Sequence, residues 1–346
     1  MCRSCDSAGR GPLPLQCRPA EPTLAAAPCS GETADRFLPP TILPLTLDPL
    51  VFALVLAAAV LHASWNALVK AGGDRLAVLT LVNLAPVVVT LPALFLLPPI
   101  RWEAAPWLAL STACHLVYYG ALLSAYRYGD LSQVYPIARG SAPALVAFGA
   151  WVLAAERPGP VELGALALLS GGLMALAWRP RRAPAVAGRG AILRQAVAPT
   201  GDPDRRAVLF ALLTGLSIAV YSVADGMGVR ASGAPFTYIA WLFTVDCLPL
   251  VAVVLWRRRG RVAQSIGRSW RAGLAGGLIA ALAYGTVIWA MNRAPLAQVV
   301  ALRETSVLFA ALIGTRLLAE PFGRQRLAAA AVIVAGAVLL QLGGSL

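Results

Sequence analysis

The chain has 346 residues, 58% hydrophobic and 13% charged, with a mean hydropathy of +0.71. Soluble globular proteins carry about a quarter charged residues, so this composition excludes a soluble fold and predicts an integral membrane protein. The net charge of +13 does not point to nucleic acid: the arginines punctuate apolar runs rather than line one amphipathic face, and no aromatic–basic reading module accompanies them. Basic loops that orient a membrane protein account for it.

Residues 1–48 hold eight prolines and no membrane-length apolar run. They do not read as a signal peptide; a disordered tail, or translation starting nearer Asp48, is expected. The tail opens with a C-x-x-C (Cys2, Cys5), but Cys17 and Cys29 are isolated and no tail histidine completes a zinc set, so no metal site and no cofactor are expected.

Ten apolar runs follow, at about 50–70, 76–98, 106–127, 132–155, 160–178, 207–229, 235–256, 271–292, 296–318 and 326–343. Each has the length a spanning helix needs, and the breaks between them carry Gly, Pro and charge. The stretch 179–206 holds seven arginines and reads as a basic linker. It separates a first five-span half, 49–178, from a second, 207–346. Eighteen Lys and Arg fall after the odd-numbered spans and four (Arg101, Arg157, Arg230, Arg293) after the even-numbered ones. That asymmetry predicts cytoplasmic odd loops and outer termini in the plasma membrane.

The halves repeat. Tyr119-Gly120 recurs as Tyr284-Gly285 and "LSQV" (131–134) as "LAQV" (296–299); after one deletion Arg139 matches Arg303, Glu156 matches Glu320 and Gly172 matches Gly336. Five spans per half make the second copy enter the membrane from the opposite side, which predicts an inverted repeat.

Span four is "YPIARGSAPALVAFGAWVLAAE", and Arg139 is its only charge between Asp130 and Glu156. At about 1.5 Å per residue it lies roughly 13 Å in, near the middle of a hydrocarbon core about 30 Å thick. Pro136, Gly140 and Pro143 surround it, and Pro143 cannot donate to the Arg139 carbonyl, so a helix break is expected here. Two readings stand open: Arg139 faces a cavity and binds an anionic group, or it pairs with a carboxylate such as Glu304 or Asp225 and locks the halves together.

Arg303-Glu304 occupies the matched point of span nine. Adjacent helical residues diverge by about 100°, so one of the two is expected inside, with Glu304 the candidate protonatable group. His62, Asn66 and Lys70, with Trp65 beside them, form a polar stripe on span one, and Ser217, Tyr221 and Asp225 form one on span six. Such stripes face the interior of a bundle. Asn83 and Asp246 each precede a proline by three residues; an interhelical hydrogen bond is expected for Asn83, and Asp246 is a candidate for a second proton site. Tyr119 and Tyr284, repeat mates, are candidates for the lining or for ordinary packing.

The pair "SQVYPIARGSAPALVAFGAWVLAAERPGPVELGALALLSGGLMAL" and "AQVVALRETSVLFAALIGTRLLAEPFGRQRLAAAAVIVAGAVLL" resembles the EamA-type family of the drug/metabolite transporter superfamily. Ala142-Pro143, Glu156 and Gly171-Gly172 carry the resemblance. The second copy has Ser306-Val307 where the proline falls, so its fourth span is expected to be straighter. The resemblance implies ten helices as two inverted five-helix repeats around a central cavity, carrying a small polar metabolite by alternating access as a monomer or homodimer, with protons a candidate coupling ion. The rivals are a receptor or scaffold keeping the transporter shell, and a membrane-embedded enzyme. The sequence lacks H-E-x-x-H, G-x-S-x-G and a P-loop, so the reading is a transporter and no enzyme.

Overall fold

The computed structural model describes residues 47–71, 75–129, 131–176, 204–258, 262–318 and 324–342. All of them belong to one unit, Ile42–Leu346. The tail, most of the linker and Glu320 lie outside the described residues, as do the side chains of Lys70 and Gln133.

The described elements are α-helices and one short 3-10 turn, without a strand among them. A chain this apolar must satisfy its backbone internally, which helices do within one segment. In chain order they are α1 (Pro49–Ala71), α2 (Arg75–Leu84), α3 (Val87–Ala93), α4 (Ala105–Tyr128), α5 (Leu131–Leu153), α6 (Pro160–Ala175), α7 (Arg205–Ser232), α8 (Pro235–Arg258), α9 (Val262–Met291), α10 (Leu296–Glu304), α11 (Ser306–Leu318) and α12 (Arg324–Leu342). Eight helical segments are long and apolar enough to cross a membrane; Val78–Ala93 and Pro160–Ala175 are shorter apolar ones.

Local chemistry sets the ends. The Leu50 amide donates to Asp48 Oδ1 at the start of α1, and that of Arg206 to Asp204 at the start of α7. Pro160 opens α6, where its missing N–H costs nothing. The second apolar run, expected as one span, is divided at Ala85–Pro86, because Pro86 cannot donate into the ladder.

Two expectations about helix continuity are corrected. α5 runs unbroken through Pro136, Gly140 and Pro143; each proline removes a single donor. Gly140 serves packing instead, since a Cβ there would lie 2.7 Å from Met174 Cγ and 3.1 Å from the Met174 amide on α6. The interruption falls in the second copy, expected to be straighter, between α10 and α11. There the Thr305 hydroxyl and amide both donate to the Leu302 carbonyl, and the Leu308 amide to that of Thr305. A hydroxyl competing for helix carbonyls tightens the turn locally.

α4 packs along α7 and α1 along α9; α6 packs on α12; α5 lies against α7 and α10. The α6–α12 contact is reciprocal. A Cβ on Gly172 would meet Ile333 Cγ1 at 2.6 Å and the Ile333 amide at 3.2 Å, while one on Gly336 would meet Leu169 Cγ at 2.9 Å and the Leu169 amide at 3.0 Å.

Candidate functional site

Where α1, α5 and α10 converge, four polar side chains meet. Arg139 on α5 is 4% exposed, and Arg303 and Glu304 on α10 are 2% and 0% exposed. Arg139 Nη1 donates to Glu304 Oε2 at 3.0 Å and Oε1 at 3.2 Å. Arg303 donates to Glu304 Oε1 through Nη2 at 2.8 Å and Nε at 3.2 Å. Both members of the Arg303-Glu304 pair are thus inside, against the expectation that one faces away: the long arginine stem curls back to its neighbour's carboxylate. Of the two acids expected as partners of Arg139, Glu304 is the one it meets.

His62 on α1 completes the group. Arg139 Nη2 lies 2.9 Å from His62 Nε2. Arginine has no acceptor, so Nη2 donates and Nε2 carries a lone pair. Trp65 Nε1 approaches His62 Nδ1 at 3.3 Å, and the Asn66 amide donates to the His62 carbonyl. Asn66 therefore serves α1 itself. The Arg139 guanidinium lies 5.3 Å from the centre of the Tyr135 ring, and that of Arg303 lies 6.0 and 5.9 Å from those of Tyr221 and Tyr284.

Beyond those tyrosines is an acidic group. Asp225 on α7 is wholly buried and accepts from the hydroxyls of Tyr238 and Tyr284. His115 on α4 stacks on Tyr221 with ring centres 4.0 Å apart. Its Nδ1 lies 3.0 Å from the Ser111 carbonyl and 3.5 Å from Asp246 Oδ1. Tyr119 donates to Asn83 Oδ1 at 2.8 Å, the interhelical bond expected for Asn83. The predicted residues thus form a guanidinium-rich group and a carboxyl-bearing group bridged by Tyr221 and Tyr284.

Sequence reasoning missed His115 and Tyr238 as site residues. Ser111, His115 and Tyr118 recur at helical spacing on α4, a stripe like those on spans one and six, and could have flagged His115. Tyr238, near the start of α8, carries no such signal.

At one end of the bundle Glu156 joins the halves. Arg230 Nη2 lies 2.7 Å from Glu156 Oε1, and the Leu296 amide donates to Oε2 at 2.8 Å. Arg230 also donates to the carbonyls of Met291 and Ala294. Burial pushes the Glu156 carboxyl up, and Arg230 opposes that shift. A pocket of about 300 Å³ lies between α3, α8 and α9, lined by apolar side chains such as Val89, Phe243 and Leu282; the Phe243 ring lies 6.4 Å from that of Tyr284.

Residues 205–342 match the model of the EamA-like transporter family. This second half of the chain is of the EamA type. The sequence resemblance, drawn on both halves, meets this match in the second. A protein of known crystal structure shares the fold, with a TM-score of 0.61 and 16% identity, over 86% of this chain and 96% of its own. Among curated proteins none matches the sequence. The described residues are thus all-α, with eight helical segments long and apolar enough to cross a membrane and a second half of the EamA type, and the buried charges are to be read in that setting.

Proposed function

We propose that this EamA-type chain is a secondary transporter of a small metabolite with an anionic group, an organic acid or an amino acid, and that Arg139 and Arg303 hold that group. The carrying observation is that two buried guanidiniums share one carboxylate, Glu304. With His62 accepting from Arg139, the group keeps one positive charge in excess. A buried charge in a membrane is costly unless met by a partner or water, and a cargo anion meets it. Trp65, Asn66, Tyr119, Tyr221 and Tyr284 surround the passage in this reading, and Asp225 and Asp246 lie beyond the tyrosines.

Alternating access in this reading uses two inverted five-helix repeats. Val78–Ala93 and Pro160–Ala175 join the eight longer segments to make ten spans. Support comes from the α6–α12 contact: Gly172 faces Ile333 as Gly336 faces Leu169, and both pairs of mates are offset by the same number of residues. The packing of α4 on α7 likewise mirrors that of α9 on α1. The basic loops at 179–206 and 257–270 are cytoplasmic and the C-terminus lies outside.

The test is counterflow in liposomes containing the purified chain, with labelled solutes chosen by a thermal-shift screen, since a ligand of the folded state raises its stability. Flux of organic anions or zwitterions that collapses in Arg139→Lys is the expected result. Flux confined to cations or neutral solutes sinks the anion site, and binding without flux favours a receptor.

A further inference from the structure

We propose that His62 binds a proton together with the cargo anion, so that anion and proton cross the membrane as a pair; this rests on the anion site proposed above. The inference starts from a bond that only an unprotonated nitrogen can make. Arg139 Nη2 lies 2.9 Å from His62 Nε2, and because arginine only donates, Nε2 must accept. The neutral ring then carries its one proton on Nδ1. Trp65 Nε1 also directs its N–H at Nδ1, at 3.3 Å, and a neutral ring has a lone pair for only one of these two donors; we assign it to the shorter, charge-assisted Arg139 contact.

The groups facing His62 explain why a second proton is kept off. From α5 comes Arg139, over the Tyr135 ring, and from α10 come Arg303 and Glu304. Two guanidiniums and one carboxylate sum to one positive charge. A proton on Nε2 would set a third cation beside two and turn the acceptor of Arg139 into a donor. Glu304 is poorly placed to take that proton, for it already receives four guanidinium contacts, and an O–H there would point among donors.

An arriving monoanion reverses the balance. It takes Arg139 Nη2, which releases His62 Nε2, and it cancels the excess charge. A proton from water then binds the Nε2 lone pair without opposing Arg139. Anion and proton enter with no net change in the charge of the group, and each favours the other by reciprocal linkage. His62 is half-buried while Arg139 and Glu304 are buried, so the imidazole is the least enclosed member of the group.

The test needs no identified cargo. The chain has two histidines, so nitrogen-15 histidine spectra of the full chain in nanodiscs, compared with those of His62→Gln, assign the His62 ring. The expected ring at neutral pH is neutral with its proton on Nδ1; a charged ring, or one protonated on Nε2, overturns the proposal. Arg303→Gln removes one positive charge, as a bound anion would. It should raise the His62 titration midpoint by about one pH unit or more, a tenfold gain in proton affinity; an unmoved midpoint overturns it. Succinate and glutamate serve as probes of the native chain. Stabilisation by either without a change at His62 overturns the proton inference and leaves the anion site standing. A moved midpoint in Arg303→Gln with neither probe bound supports the proton linkage and places the error in the cargo class.

Discussion

Arg139 on α5 and Glu304 on α10 meet at 3.0 Å although 165 residues separate them. This ion pair joins the two halves of the chain at the buried group where cargo is proposed to bind. The same carboxylate holds Arg303, so the contact is a shared anchor with guanidinium capacity left over.

Arg139→Lys keeps the charge and loses the planar fork that grips a carboxylate through two parallel bonds. Cargo flux should fall at least about tenfold, equivalent to about 1.4 kcal/mol. Thermal unfolding should shift little, because an ammonium can still reach Glu304. Flux within a factor of two of the native chain would count against the anion site.

Glu304→Gln leaves two guanidiniums together without a carboxylate. Breaking a buried pair this way costs about 3–5 kcal/mol, so a pronounced loss of thermal stability is expected. Adding Arg303→Met removes one stranded charge and should recover part of that loss, a coupling measurable as a double-mutant cycle. Strict additivity of the two changes would refute the shared-anchor account.

Gly172 and Gly171 are neighbours in sequence with opposite surroundings. A Cβ on Gly172 reaches Ile333 backbone and side chain, whereas one on Gly171 meets nothing within 4 Å. Gly172→Ala should cost about 1–3 kcal/mol through overpacking of α6 on α12. Gly171→Ala should be neutral or gain up to about 1 kcal/mol of helix propensity. Unfolding of the two variants side by side in one detergent checks this, and equal effects would contradict the α6–α12 contact.

The arginine asymmetry makes a topological prediction. On a background with all six cysteines replaced, a cysteine introduced in the 179–206 linker should resist an impermeant reagent in intact cells and react after permeabilisation. One introduced in the 98–105 loop should react from outside. Labelling in the reverse pattern overturns the orientation.

The helices were legible in the amino-acid sequence because lipid leaves the backbone no partner but itself: a long apolar run bounded by Gly, Pro and charge has one outcome. The interest of Arg139 was legible for the same reason, since a lone charge inside such a run has to be met, and the stripes His62–Asn66 and Ser217–Tyr221–Asp225 followed from helical spacing. What only the tertiary structure decided was who meets whom. Glu304 and Asp225 were equal candidates for Arg139, and packing of α10 on α5 chose between them while Tyr238 and Tyr284 took Asp225. His115 joined Asp246 only through the way α4 lies against its neighbours. The helix interruption moved from Pro143 to Thr305, because a missing donor is a local loss that packing on α6 absorbs, whereas the Thr305 hydroxyl competing for the Leu302 carbonyl alters the turn itself. Periodicity and burial in lipid act along one segment and can be read from it; charge pairing acts between segments and depends on distances that packing alone sets.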